Sequence, residues 1–261
     1  MLKNKFQFML ITFFISSFAR ADYLPWSTIE KNFKDQKLDT KALGHVKCFF
    51  DKHENTVFQK KLSDNPTMEN RCGGDSQITL DSKRVFALID FMAPSDQRRM
   101  FLVDRETGKI TKMAVGHGRY NASMINTHLS KNKNSVKYAR YFSNEPGSNA
   151  PSSGFFTSGV EYEGKFGRSM VLHGLEKGIN DNACERAVVV HKHLMVTQSQ
   201  AFVLSSGCAM VSKDYINTVI NLLEGTENTD NGVQTNGGVV FIYGPRENAW
   251  AAGTCDGNFN I

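Results

Sequence analysis

The chain has 261 residues, 40% of them hydrophobic, and 31 basic against 26 acidic side chains, for a formal charge of +5. That length suits one large domain, or one domain with a small appendage, and a core that need not depend on disulfides. The charge is too balanced to argue for nucleic acid, the more so because residues 1–21 read as a removable leader carrying Lys3, Lys5 and Arg20 and no acid, which leaves +2.

In that leader, Lys3 and Lys5 form a basic start, Phe6 to Phe18 is mostly apolar, and Ala19-Arg20-Ala21 has the small-x-small form of a cleavage site. An uncleaved anchor is the other reading, but the apolar run falls short of the ~20 residues that span a bilayer. The mature chain would begin at Asp22. No cysteine at that junction offers a site for acylation, and no later stretch is apolar enough to span a membrane. An exported protein of the periplasm or cell envelope, with no stable membrane span after cleavage, is expected.

Trp26 to His53 carries helical periodicity: Thr28 to Asp35 gives one short helix, and Asp39 can cap another with Leu43, Val46, Phe49 and Phe50 on one side. Asn55 to Gly74, with Pro66 and Gly73-Gly74, reads as connector, so 22–80 is a helical N-terminal appendage followed by a linker. From there the period becomes that of strands: Arg84 to Phe91, Met100 to Asp104 and Ile110 to Val115. Gly116-His117-Gly118 ends the third, and Arg119 to Lys137 is an exposed polar loop. Phe155–Val160, Glu161–Gly167 and Ser169–Leu175 read as short strand-and-turn units punctuated by glycine, which gives a mainly β core. Ala187 to His193 is a strand with His191 and His193 on one face, because side chains alternate. Ser212 can cap a helix with Tyr215, Ile216, Val219, Ile220 and Leu223 facing inward and Gly225 ending it. Glu227 to Gly238 is a loop, and Val239 to Tyr243 is the final strand.

Five cysteines, an odd count, leave at least one free thiol in an oxidising compartment. If Cys208 is the spare, the other four can pair in three ways, of which Cys48 with Cys72 and Cys184 with Cys255 is the expectation; the alternative is that all are reduced and packed. Cys208 stands out because Ser205-Ser206-Gly207-Cys208 follows a histidine-bearing strand. A thiol attacks a carbonyl as thiolate, which requires a base and backbone N–H groups to receive the charge on oxygen. Alone, such a tripeptide is more often a packed core cysteine.

The larger pattern is more specific. Ile89-Asp-Phe with Pro94-Ser95, Val115-Gly-His-Gly118, Phe142 to Ser148, Gly154-Phe, Gly164-Lys-Phe-Gly-Arg-Ser169, Gly174-Leu-Glu-Lys-Gly-Ile-Asn180, Arg186-Ala-Val-Val-Val-His191 and Ser205-x-Gly-Cys208 succeed one another in an order that resembles the murein L,D-transpeptidase catalytic domains. The resemblance covers about residues 85–243, within a unit bounded at 81–261. It implies a β-sandwich or barrel of that fold, with a few helices and the cysteine at the mouth of a groove. It also implies attack of the thiolate on the third residue of a peptidoglycan stem tetrapeptide, release of D-alanine, and transfer of the acyl group to an amine, or to water in an L,D-carboxypeptidase.

On the same resemblance Cys208 is the nucleophile, His191, seventeen residues upstream, is the base, and the N–H groups of Gly207 and Cys208 form the oxyanion hole. Ser205, Ser206, Arg186, His173, Gly174 and Asn180 line or support the groove, and neither cofactor nor metal is called for. Ser206 stands where relatives carry histidine or tryptophan, and Ala209-Met210 replaces the usual Pro-Ala or hydrophobic-Arg/Asn. Competing readings are a metal site of His191, His193, Cys208 and His173, which lacks a second close ligand pair; a papain-like protease, whose cysteine would precede its histidine; and an inert wall-binding protein on the same fold.

Overall fold

The structure, a computed structural model, describes residues 23–63, 69–72, 77–121, 132–224, 237–244, 259 and 261. The leader, Cys255, Gly225 and most of the loop expected at 227–238 lie outside these residues. Two helices come first, α1 (Trp26–Asp35) and α2 (Thr40–His53). Asp39 caps α2 as its sequence position suggests: Oδ1 accepts from the N–H groups of Lys41 at 2.8 Å and Ala42 at 3.2 Å. A two-residue pairing of β1 (Phe58–Gln59) with β2 (Gln77–Ile78) flanks the short α3 (Glu69–Cys72).

The remaining strands are β3 (Val85–Asp90), β4 (Met100–Asp104), β5 (Ile110–Met113), β6 (Gly154–Gly164), β7 (Gly167–Gly174), β8 (Val189–Lys192), β9 (Ala209–Val211) and β10 (Val239–Tyr243); α4 (Ile216–Leu223) lies between the last two. They form one sheet in the order β5-β4-β3-β10-β6-β7-β8-β9. Most neighbours are antiparallel, while β10 runs parallel to β3 and β9 parallel to β8. The two edges curl toward each other. Beyond β5, Gly116 exchanges backbone hydrogen bonds with Met210 of β9, at 2.7 and 3.2 Å, so the sheet is nearly closed and the segment leading to Cys208 lies at the seam.

Both faces of the central strands are covered, which is why β10 reads as an unbroken apolar run rather than an alternating one. Inside, Ala87, Ile89, Leu102, Phe156, Leu172, Val190 and Ile242 pack against Val219, Ile220 and Leu223 of α4. Outside, Phe86, Leu88, Phe101, Phe155 and Phe241 pack against Ile29 and Phe33 of α1 and Val46, Phe49 and Phe50 of α2. The N-terminal helices therefore share a core with the strands.

Several local expectations change. The glycine-rich run from 154 is one 11-residue strand, β6, paired with β7, rather than a series of short units. Gly159 lies at the register shift between Ser158 and Glu161 because a Cβ there would stand 2.5 Å from His173 Nε2. Ser212 does not cap α4: its Oγ accepts from Asp214 N–H at 3.1 Å, closing a turn before the helix begins at Ile216. The disulfide pairing is corrected too. Cys72 bonds to Cys184 across 112 residues, and Cys48 is also disulfide-bonded. Spacing along the chain could not reveal this, because α3 is folded back onto the segment preceding β8.

Glu176, just past β7, is buried, and its Oε1 accepts from Phe155 N–H at 2.6 Å. Burial pushes its pKa up to about 7. Because the folded value lies above the ordinary 4.5, the stabilising effect of its protonated form is complete below pH 4.5 and is lost as pH rises through 7. Glu176→Gln is expected to match the parent's stability near pH 4.5 and to exceed it by about 3 kcal/mol at pH 7. Chemical denaturation at both pH values checks this, and a pH-independent difference would contradict it.

Candidate active site

Cys208 immediately precedes β9, and Gly207 before it has φ +123°, a conformation rarely open to residues with a side chain. Ser205 closes this turn: its Oγ accepts from Gly207 N–H at 3.1 Å and donates to the Cys208 carbonyl at 2.7 Å. The Gly207 N–H is thereby engaged, so of the two donors expected at an oxyanion hole, the Cys208 N–H is the better placed. Gly207 acts on the turn through its conformation. A Cβ on it would also stand 3.0 Å from the Ala150 carbonyl. Gly207→Ala is expected to cost about 1–3 kcal/mol, read as a lowered thermal midpoint, and an unchanged midpoint would contradict this turn.

Val190 pairs with Ala209 and His191 with Met210 in the parallel β8–β9 ladder. Side-chain alternation places His191 on the face of Val189, and Cys208 packs on that face with Val189, Val171, Tyr162, Ala187 and the Cys72–Cys184 pair. Cys208 thus lies level with Val189 on the neighbouring chain segment, and His191 stands two residues further along β8 on the same face. His191 is buried, and its Nδ1 bonds the Lys192 carbonyl at 2.9 Å, which as a donor leaves Nε2 to accept a proton. The ring stacks on the exposed Phe166 of the β6–β7 turn, with centroids 4.3 Å apart and planes 17° apart. Burial holds the imidazole pKa below its ordinary 6.5, aided by repulsion from His193 and opposed by the Lys192 bond.

Cys208 is half-buried, a free cysteine whose Sγ donates to the Ala187 carbonyl at 3.3 Å. Ala187 has φ +55°, an unusual conformation for a residue with a Cβ, at the turn that aims this carbonyl. Burial pushes the thiol pKa up; a hydrogen bond from Val189 N–H and the Arg186 charge work the other way. The resting pair at neutral pH is therefore thiol and neutral imidazole.

Arg186 does not present its fork to an open groove. Nη1 donates to the Ser143 carbonyl at 2.6 Å and Ser152 Oγ at 2.5 Å; Nη2 donates to the Ala150 carbonyl at 2.7 Å and Ser148 Oγ at 3.2 Å. It fixes the 143–152 loop beside Gly207 and places a positive charge near the sulfur. Burial lowers its pKa to about 10, so the charge persists at neutral pH. Ser206 is exposed, and its Oγ accepts from Arg119 Nη2 at 2.5 Å, while Arg119 Nε donates to the Ser205 carbonyl at 3.3 Å. The sequence reading missed Arg119, which follows Gly118 in what looked like a polar loop and reaches the nucleophile turn across the seam.

Arg99, also missed, is fully buried. It donates to the Val115 carbonyl at 2.8 and 3.0 Å, the Ala93 carbonyl at 2.8 Å and His117 Nδ1 at 2.8 Å. His117, whose carbonyl accepts from Ser205 N–H at 2.9 Å, carries this support to the turn. Burial and the Arg99 charge lower the His117 pKa to about 3, so its ring is neutral.

Asn180 is fully buried; its amide donates to the Ser153 and Phe155 carbonyls, both at 2.9 Å, and its Oδ1 accepts from Glu176 N–H at 2.9 Å. A Cβ on Gly174 would run into the Asn180 backbone carbonyl. His173 is buried against Gly159 with its pKa lowered by burial to about 3. Gly174 and Asn180 brace the chain after β7, while His173 lies on the face of Val171 and Val189, two residues beyond Val171. His193 Nδ1 accepts from Met195 N–H at 3.1 Å in the turn after β8. Among the described residues no group of three or more His, Cys, Asp or Glu could hold a metal ion.

A nearly closed β-sheet with a free cysteine just before β9 and a buried histidine on the neighbouring β8 defines the class, and comparison with known families agrees. The model of the L,D-transpeptidase catalytic domain matches residues 53–229, more than half the chain. The protein belongs to this family, which acts on peptidoglycan. Among solved structures, an L,D-transpeptidase from Mycobacterium smegmatis is 11% identical with a TM-score of 0.35, the alignment covering 66% of this chain and 63% of that one. The helical cell shape determining protein Pgp2 (K307A mutant) from Campylobacter jejuni is 10% identical with a TM-score of 0.37, covering 86% of this chain and 58% of that one. The chain thus spans less than two thirds of the length of either. No curated protein sequence matches it.

Proposed function

We propose that the protein is an exported peptidoglycan-modifying acyltransferase in which Cys208 is the nucleophile and His191 the general base. The observation that carries this reading is the pair itself: a free thiol just before β9 and a buried imidazole on the adjoining β8 with Nε2 left to accept, on one face. His191 Nε2 takes the thiol proton as Sγ bonds the carbonyl carbon of the third residue of a stem tetrapeptide. The Cys208 N–H and the Arg186 charge stabilise negative charge that moves from sulfur to oxygen. The bond to D-alanine breaks, its nitrogen takes the proton from His191, and a thioester remains. An amine of a second stem then attacks, with His191 again as base, and yields a 3-3 cross-link; transfer to water would instead trim the tetrapeptide to a tripeptide.

Incubation of residues 22–261 with tetrapeptide muropeptides tests the reading. Cross-linked dimers together with free D-alanine are expected. Tripeptides in place of dimers would move the assignment to a carboxypeptidase, and absence of D-alanine release would refute acyl transfer.

The pH profile follows from the two shifts. Activity rises as His191 loses its proton, a limb lying below 6.5, and rises again in the alkaline range as the thiol ionises. Rates of D-alanine release from acid to alkaline pH check this, and a flat profile would contradict it.

A further inference from the structure

Arg186, the cation nearest the sulfur, has four of its donor contacts committed to the 143–152 loop, so recognition of a negatively charged ligand at Cys208 needs another group. Arg71 of α3 supplies one. Its guanidinium lies 3.8 Å from the centroid of the Tyr162 ring, and among the described residues its side chain makes no hydrogen bond or ion pair. Tyr162 packs in the same cluster as Cys208. The Cys72–Cys184 disulfide, in that cluster too, fixes the next residue along, with the Arg71 carbonyl 3.6 Å from Cys184 Sγ. A guanidinium over a ring face makes no hydrogen bond to the ring through its fork of N–H donors, which matches a carboxylate.

We propose that Arg71, held over Tyr162 by the Cys72–Cys184 cross-link, binds a free carboxylate of the peptide acylating Cys208, so that the segment Glu69–Cys72 forms part of the substrate site. This rests on the acyl-transfer reading for the identity of the ligand. The N-terminal connector then sets specificity: a stem peptide with that carboxylate free binds, and one with it amidated does not bind as well.

Titration calorimetry in a Cys208→Ala background, which binds without turnover, tests it with the free-acid tetrapeptide and with peptides amidated at each carboxylate in turn. Adding Arg71→Ala is expected to weaken free-acid binding at least ~10-fold, the loss of one charge-assisted contact. It should leave unchanged the affinity for the one peptide whose amidation already weakens the parent. Arg71→Lys should recover part of the loss. Arg71→Gln, with the disulfide verified by non-reducing peptide mapping, separates loss of charge from a disturbed fold and is expected to behave as Arg71→Ala. Equal affinity of parent and both neutral variants for the free acid would overturn the proposal, even if the wild-type protein releases D-alanine. Arg71-dependent binding with no D-alanine release by the wild type would instead overturn acyl transfer and leave Arg71 as a carboxylate site.

Discussion

Cys208→Ala is expected to release no D-alanine from tetrapeptide muropeptides and to yield neither cross-linked dimers nor tripeptides. Every route in the proposed reaction passes through a bond to Sγ, and Cys208 packs in a cluster whose other two sulfurs are tied to each other. Alanine keeps the turn, because Ser205 holds it through the backbone of Gly207 and Cys208. Stability should therefore stay close to the parent's while activity vanishes, as HPLC of the products and thermal unfolding would show. Residual D-alanine release at the parental rate would place the chemistry elsewhere.

His191→Ala is expected to lower the rate of acylation by ~10²–10⁴, the range for a lost general base. With the thiol pKa pushed up by burial and the imidazole's held down, little thiolate is present at neutral pH, so the base must take the proton during attack. The loss should shrink in alkaline solution, where hydroxide can ionise the thiol directly. Adding His191→Ala to Cys208→Ala should cost nothing further, since the two act as a unit. Stopped-time assays of D-alanine release across pH measure both, and a pH-independent loss would argue that His191 serves only to pack against Phe166.

The sequence carried much of the fold where the cause is local. Asp39 caps α2 because its side chain reaches donors two and three residues on, and β3, β4, β5 and β8 follow from short β-rich runs bounded by turns. The helical N-terminal segment and the mainly β core were legible for the same reason. What could not be read were placements decided by distant partners. β10, last in the chain, inserts between β3 and β6 in the middle of the sheet, and a run of Val, Phe, Ile and Tyr states burial without naming neighbours.

The site divides in the same way. Cys208 and His191 could be singled out because ordered motifs surround them, and one ladder brings their segments side by side. Arg99, Arg119 and Arg71 could not, since arginine in a polar stretch gives no sign of whether it faces water, a carbonyl cage or a tyrosine ring. Arg186 was visible, but its use in bracing a loop depends on carbonyls and serine hydroxyls 34 to 43 residues away. The Cys72–Cys184 bond likewise depends on how α3 folds back, which no spacing rule expresses.

The central claim, that Cys208 carries the acyl group, is tested most directly by intact-protein mass spectrometry of the wild type after brief mixing with tetrapeptide muropeptide at neutral pH and an acid quench, followed by peptide mapping. With acid used only to quench the mixing, the expected result is a mass increase equal to the muropeptide less D-alanine, mapped to the peptide containing Cys208, sensitive to hydroxylamine and absent from Cys208→Ala. An adduct on another residue, or D-alanine release with equal efficiency by Cys208→Ala, would contradict it.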